Sequence, residues 1–223
     1  LEYLGILKKK DIDLYCKKND QIKNEIMKQL NNITSYFEEV KKTIDYIDKK
    51  KIDSLIKAIV KIKVKKGRIF FLGVGGSAGN ASHAVNDFRK ICNIECYTPI
   101  DNVSEITART NDEGFEKIFS KYLINSRLSK NDAIFIFSVG GGNSKYKVSI
   151  NLIEAIKLAK KRSSKIFSVV GRSDGYAFKH SHISILTKTE NKKLLTPVSE
   201  SIQGAIWHCL VSDSRLQDNK TKW

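Results

Sequence analysis

Two histidine–carboxylate pairs carry most of the chemistry that this sequence offers. His83 and Asp87 are four residues apart, close to one helical turn, and so share a helix face. Glu200 and His208 are eight apart, near two turns, and share a face in the same way. A pair from each of two helices supplies four donors, enough for a tetrahedral zinc site. The same groups can act as general acid and base, moving a proton to or from a carbon beside a carbonyl. Taken singly, each pair also fits a surface ion pair or a satisfied histidine. His180 and His182 flank an edge element and are assigned no role.

Two glycine-rich stretches add a second kind of chemistry. The first is Gly73-Val74-Gly75-Gly76-Ser77-Ala78-Gly79, and the second is Ser138-Val139-Gly140-Gly141-Gly142-Asn143-Ser144. Each follows an apolar run and precedes a helical pattern. Glycines let backbone approach a ligand closely, and amides at a helix start face an anion. Ser77 and Ser144 add hydroxyl donors. The first stretch also fits a loose dinucleotide fingerprint, Gly73-x-Gly75-x-x-Ala78, with Glu95 at about the spacing of a ribose-binding acid. Against that reading, Glu95 begins the second strand rather than ending it, and the second loop goes unused. No Gly-Lys-Ser/Thr ending is present, which disfavours a P-loop nucleotidase.

The elements that must position these groups follow from periodicity. Ile22, Ile26, Leu30, Ile33, Phe37, Val40, Ile44 and Ile47 recur at steps of three and four, which predicts a long amphipathic helix with a narrow stripe. Such a helix packs within its own subunit or serves oligomerisation. Asp53 and Ser54 are expected to cap a second helix ending near Gly67. Beyond it, strands are predicted over 68–72, 95–98, 133–138, 165–170 and 183–187. They alternate with helices over 78–91, 145–161 and 198–214. The expectation is an α/β fold, a doubly wound five-stranded parallel sheet with N-terminal helices, its ligands beyond the carboxyl ends of the strands.

Composition sets outer bounds. The chain has 223 residues and a net charge of +16, from 40 basic and 24 acidic residues. The excess is mostly Lys in short runs such as Lys49-Lys50-Lys51, and Arg, the better reader of bases, is scarce. That argues against nucleic acid as the partner and for solvated faces whose positive field also favours a small anionic ligand. Cys16, Cys92, Cys96 and Cys209 show no metal-site pattern and read as small hydrophobes in a reducing compartment. With no apolar run near a membrane span and no secretory apolar stretch, the expected location is the cytoplasm.

Taken in order, Gly73-x-Gly75-Gly76-Ser77, His83, Asp87, Asn111-Asp112-Glu113-Gly114-Phe115, Gly142-Asn143-Ser144 and Glu200 to His208 resemble the phosphoheptose isomerase family, of the SIS (sugar isomerase) fold. The resemblance covers about 51–214. It implies conversion of D-sedoheptulose 7-phosphate to D-glycero-D-manno-heptose 7-phosphate for bacterial heptose glycans. It also implies a homotetramer with shared active sites, and one zinc held by His83, Asp87, Glu200 and His208. By the same resemblance Asp87, His208 and Glu200 are the catalytic candidates. Gly75, Gly76, Ser77, Asn111, Asp112, Gly140, Gly141, Gly142, Asn143, Ser144 and Glu200 would bind substrate. Residues 1–50 would form a helical extension for oligomerisation and 51–223 the SIS domain. A non-catalytic SIS module that binds a protein partner is the rival, as is an isomerase for another sugar phosphate. The chain departs from the family at Asp87, where Glu is usual, at Glu200 for Gln, at Val74 for Asn, and at Val139-Gly140-Gly141 for a Ser/Thr-rich stretch.

Overall fold

The computed structural model describes residue 9 and residues 20–220. Helices α1 (Asp20–Asp45) and α2 (Lys49–Val64) lead into strand β1 (Ile69–Leu72). Then come α3 (Gly76–Lys90), β2 (Cys96–Tyr97), α4 (Val103–Glu113), α5 (Ile118–Asn125) and β3 (Ala133–Ser138). The chain closes with α6 (Ile150–Lys161), β4 (Lys165–Val170), α7 (Tyr176–His180), β5 (Ile183–Leu186) and α8 (Leu195–Val211). Among the described residues no helix is long and apolar enough to cross a membrane.

All five strands are parallel, in the order β2-β1-β3-β4-β5. The order reverses between β1 and β3, which creates a crevice at their carboxyl ends. Both glycine stretches leave the sheet there, one after β1 and one after β3. Each strand is apolar on both sides because helices cover both faces. Phe71, Phe135, Phe137 and Phe167 point to the side packed by α2, α3 and α8, with Ile59, Phe88, Ile202 and Trp207. Phe70, Leu72, Ile134, Ile136 and Ile166 point to the side of α5 and α6, with Phe119, Leu152 and Ile156.

The expected sheet is present; the differences lie at element ends and in helices α4, α5 and α7, which were not among the predicted elements. The second helix starts at Lys49 because Asp48 accepts hydrogen bonds from the Lys50 and Lys51 amides at 2.9 and 3.1 Å. Asp53, the expected cap, instead lies inside α2, paired with Lys57 and Arg215. The sixth helix begins at Ile150 rather than 145, since residues 143–148 close a small antiparallel bridge between Asn143 and Val148. Helix α4 has no buried apolar face. It is braced instead by Arg109, which reaches Glu105 at 2.7 Å and Glu113 at 3.3 Å.

The long N-terminal stripe divides. Tyr36, Val40 and Ile47 pack on the core, and α1 lies against α8. Glu39 accepts the Glu190 and Asn191 amides, and Thr43 donates to the Lys188 carbonyl. Ile33, Phe37 and Ile44 face outward, Phe37 at 65% exposure. The side chain of Ile22 lies outside the described residues.

Candidate active site

The first loop turns at Gly75, whose φ of 63° with ψ of −132° is open only to glycine. This turn delivers the chain into α3 with no side-chain cap, so the first-turn amides lack a capping partner. The Glu200 carboxylate fills the space beside them. A side chain at Gly76 would fall 2.4 Å from Glu Oε2. A carboxylate is favourable at that end of a helix.

The second loop is shaped differently. Gly141 and Gly142 both have positive φ, 69° and 84°, and a side chain at Gly142 would collide with Ile153. Ser138 Oγ accepts the Gly141 amide at 3.0 Å, and Asn143 Oδ1 accepts the Tyr146 amide at 3.1 Å. The amides of Gly140, Gly142, Ser144 and Lys145 make no hydrogen bond among the described residues. They are the donors that an oxyanion needs. At Gly171 the backbone touches both Val139 of this loop and Ser199 of α8, next to Glu200. The two loops and the start of α8 therefore meet at one edge of the sheet.

Further along, α3 and α8 pack side by side and run in the same direction. Asn80 donates to the Glu200 carbonyl at 2.9 Å and to Gln203 Oε1 at 3.1 Å. Beyond it, His83 Nε2 lies 3.8 Å and His208 Nε2 4.0 Å from Asp87 Oδ2. The other Asp87 oxygen accepts from Asn86 Nδ2 at 2.8 Å, which orients the carboxylate. Trp207, 1% exposed, packs against both imidazoles, with ring centroids 4.6 Å from His83 and 3.5 Å from His208. The ligand atoms of His83, Asp87 and His208 all lie within 4.8 Å of one another. Zinc at bonds of about 2 Å holds its ligand atoms roughly 3.3 Å apart, so a modest side-chain adjustment would suffice.

The sequence profile described as SIS domain matches residues 32–171. The chain belongs to the SIS domain family. Over 195 residues it is 26% identical to a probable phosphoheptose isomerase of Thermoplasma volcanium, covering 83% of this chain and 93% of that protein. It is 30% identical over 150 residues to the lincomycin biosynthesis protein LmbN of Streptomyces lincolnensis, covering 65% of this chain and only 54% of that protein. Among solved structures, the phosphoheptose isomerase GmhA of Neisseria gonorrhoeae superposes with a TM-score of 0.70 at 21% identity, covering 82% and 97% of the two chains.

Within this SIS domain the structure groups three of the four candidate metal ligands and sets the fourth apart. Glu200 stands at the loops, whereas Asp87 lies eleven residues down α3 from Gly76, about 16 Å along the helix. Ser77 is buried at the α3 start, Gly140 and Asn143 are half-buried, and Ser144 is exposed. Asn111 and Asp112 are exposed at the end of α4, hydrogen-bonded to each other at 2.7 Å rather than to either loop. Three contributors escaped the sequence reading. Asn80 is three residues before His83 on the same face, so spacing alone pointed to it. Asn86 and Trp207 gave no such signal, since each is adjacent in sequence to the residue it supports.

Proposed function

We propose that this SIS domain is an aldose–ketose isomerase of sugar phosphates, with D-sedoheptulose 7-phosphate as substrate and D-glycero-D-manno-heptose 7-phosphate as product. The observation that carries the reading is the convergence of Asp87 and His208, far apart in sequence, on one flank of a fold whose crevice holds two open glycine loops. The relatives named phosphoheptose isomerase supply the reaction class.

In this reading the free amides of Gly140, Gly142 and Ser144 hold the phosphate, and Ser77, Glu200, Asn111 and Asp112 meet the sugar hydroxyls. Asp87, steadied by Asn86, takes the proton from the carbon beside the carbonyl and returns one to its neighbour, through an enediol. His208 protonates the carbonyl oxygen as the enediol forms and takes the proton of the neighbouring hydroxyl as the new carbonyl forms. Trp207 fixes both imidazoles and keeps water from their inner edges. His83, Asp87 and His208 are the residues that would hold zinc, which when bound would polarise the carbonyl as a Lewis acid.

The distance along α3 between the loops and the His–Asp–His group favours a site completed by a neighbouring copy, as in a homotetramer. The outward Ile33, Phe37 and Ile44 of α1 fit an extension over residues 1–50 that joins subunits. Turnover on ketose phosphates of five to seven carbons, with metal added and removed, tests the proposal. Preference for the seven-carbon substrate is the expected result. A sugar phosphate that binds but is never converted would leave a sensing or scaffolding module instead.

A further inference from the structure

At the amino ends of the strands, on the far side of the sheet from the glycine loops, lies a recess of about 420 Å³ with an unusual lining. Its rim carries Lys61 from α2, Lys65 just after that helix, Lys130 from the turn into β3, and Lys165 from the start of β4. None of these four forms an ion pair among the described residues. The acids nearby are already engaged: Asp53 by Lys57 and Arg215, and Asp132 by Arg68. No acidic residue lines the recess.

Placing Lys61 and Lys65 one turn apart costs stability through repulsion. Adding Lys130 and Lys165 from two further elements compounds that cost. The arrangement is relieved by an anion of several charges. His182 sharpens the picture. Its Nδ1 accepts the Ile166 amide at 3.0 Å, so the ring proton sits on Nε2 and the imidazole enters the recess as a neutral donor. Burial, and then the charge of Lys165, hold its pKa below the usual imidazole value. Ala58, Ile62, Phe167 and Ile183 supply an apolar wall. A concave, partly apolar cavity with a few converging polar groups is the usual form of a small-molecule site. Lysine ammonium groups suit phosphate as point charges.

From these features we infer that the recess binds a small polyphosphate, its phosphate chain on Lys61, Lys65, Lys130 and Lys165. The test is equilibrium titration of the full chain with ATP and, separately, with inorganic tripolyphosphate at low salt. Saturable binding of one equivalent per chain is expected, weakened at least tenfold by Lys165→Glu and by Lys61→Glu and unchanged by Lys41→Glu elsewhere on the surface. Unaltered melting temperatures of the variants would show that they fold. ATP binding tighter than tripolyphosphate assigns a nucleotide that uses the apolar wall, and equal affinity assigns the phosphate chain alone. Absence of saturation, or equal binding by wild type and both recess variants, overturns the inference. So does a single-stranded oligonucleotide that binds more tightly than ATP through the same lysines, since the face would then track a nucleic-acid backbone.

Discussion

The two rims of the sheet are built on opposite plans. At the amino rim the helix ends are closed. Helices α2, α5 and α6 each end in a left-handed residue, Lys66, Arg127 and Ser163, with φ near 53–55°. In each case the next amide reaches back to the carbonyl five residues earlier, as from Gly67 to Ile62, Leu128 to Leu123 and Ser164 to Ala159. Asp132, almost fully buried, accepts from the Arg68 amide and guanidinium and from the Ser129 amide and hydroxyl. At the carboxyl rim the turns are left open. Helix α3 has no side-chain cap, the second loop carries free amides, and glycines replace side chains that would fill the space. The difference teaches where this fold closes its backbone for stability and where it leaves backbone donors open for the proposed substrate.

That contrast predicts separable effects. The largest belongs to the carboxyl rim. Replacing sedoheptulose 7-phosphate by sedoheptulose removes the group that the second loop is proposed to hold, and kcat/KM should fall by about a thousandfold or more, because remote binding energy positions the reacting carbons. A steady-state assay with both sugars checks this. Equal turnover of the two would show that the open amides hold nothing.

The amino rim should answer in stability rather than turnover. Asp132→Ala leaves Arg68 without its partner and strands the Ser129 and Arg68 amides. A loss of about 3 kcal/mol is expected. Denaturant unfolding would measure it, with activity per folded molecule unchanged. In the other direction, Ser163→Gly should add up to about 1 kcal/mol, since glycine adopts the left-handed cap without the steric cost. Failure of Ser163→Gly to raise the unfolding midpoint would mean that the turn is not strained as the backbone angles indicate.

The smallest effect is one of pH. His180 and His182 are held below the ordinary imidazole pKa, first by burial and then by the neighbouring lysines, Lys160 and Lys179 for His180 and Lys165 for His182. The folded protein therefore binds fewer protons than the unfolded chain as pH falls from about 6.5. Their contribution to stability is present above that value and is lost as pH drops through the folded pKa values. Melting temperatures between pH 7.5 and 5 should decline, and less steeply in His180→Asn/His182→Asn. An identical slope in that variant would remove these two histidines from the acid side of the stability curve.

Much of this was legible in the sequence, for a physical reason. Strands such as Ala133–Ser138 are buried on both faces, so their apolar runs announce themselves. The glycine loops were equally plain, because the φ of 63° with ψ of −132° at Gly75 and the φ of 84° at Gly142 call for glycine. The His83–Asp87 and Glu200–His208 pairings followed from helical spacing, but spacing cannot say how far two helices slide past one another. That offset decides that His208 meets Asp87 while Glu200 meets Gly76. Helix α4 was hidden because charge pairs hold it rather than an apolar face. The cap at Asp48 was missed because several acids and serines nearby were equally eligible.

The central claim is that Asp87 and His208 move the proton for a sugar phosphate anchored on the glycine loops. Its most direct test is conversion of sedoheptulose 7-phosphate to the aldose by wild type, Asp87→Ala and His208→Ala under identical conditions. Turnover by wild type and losses of about a hundredfold or more in both variants, at unchanged melting temperature, are the predicted result. Full activity in both variants would contradict it.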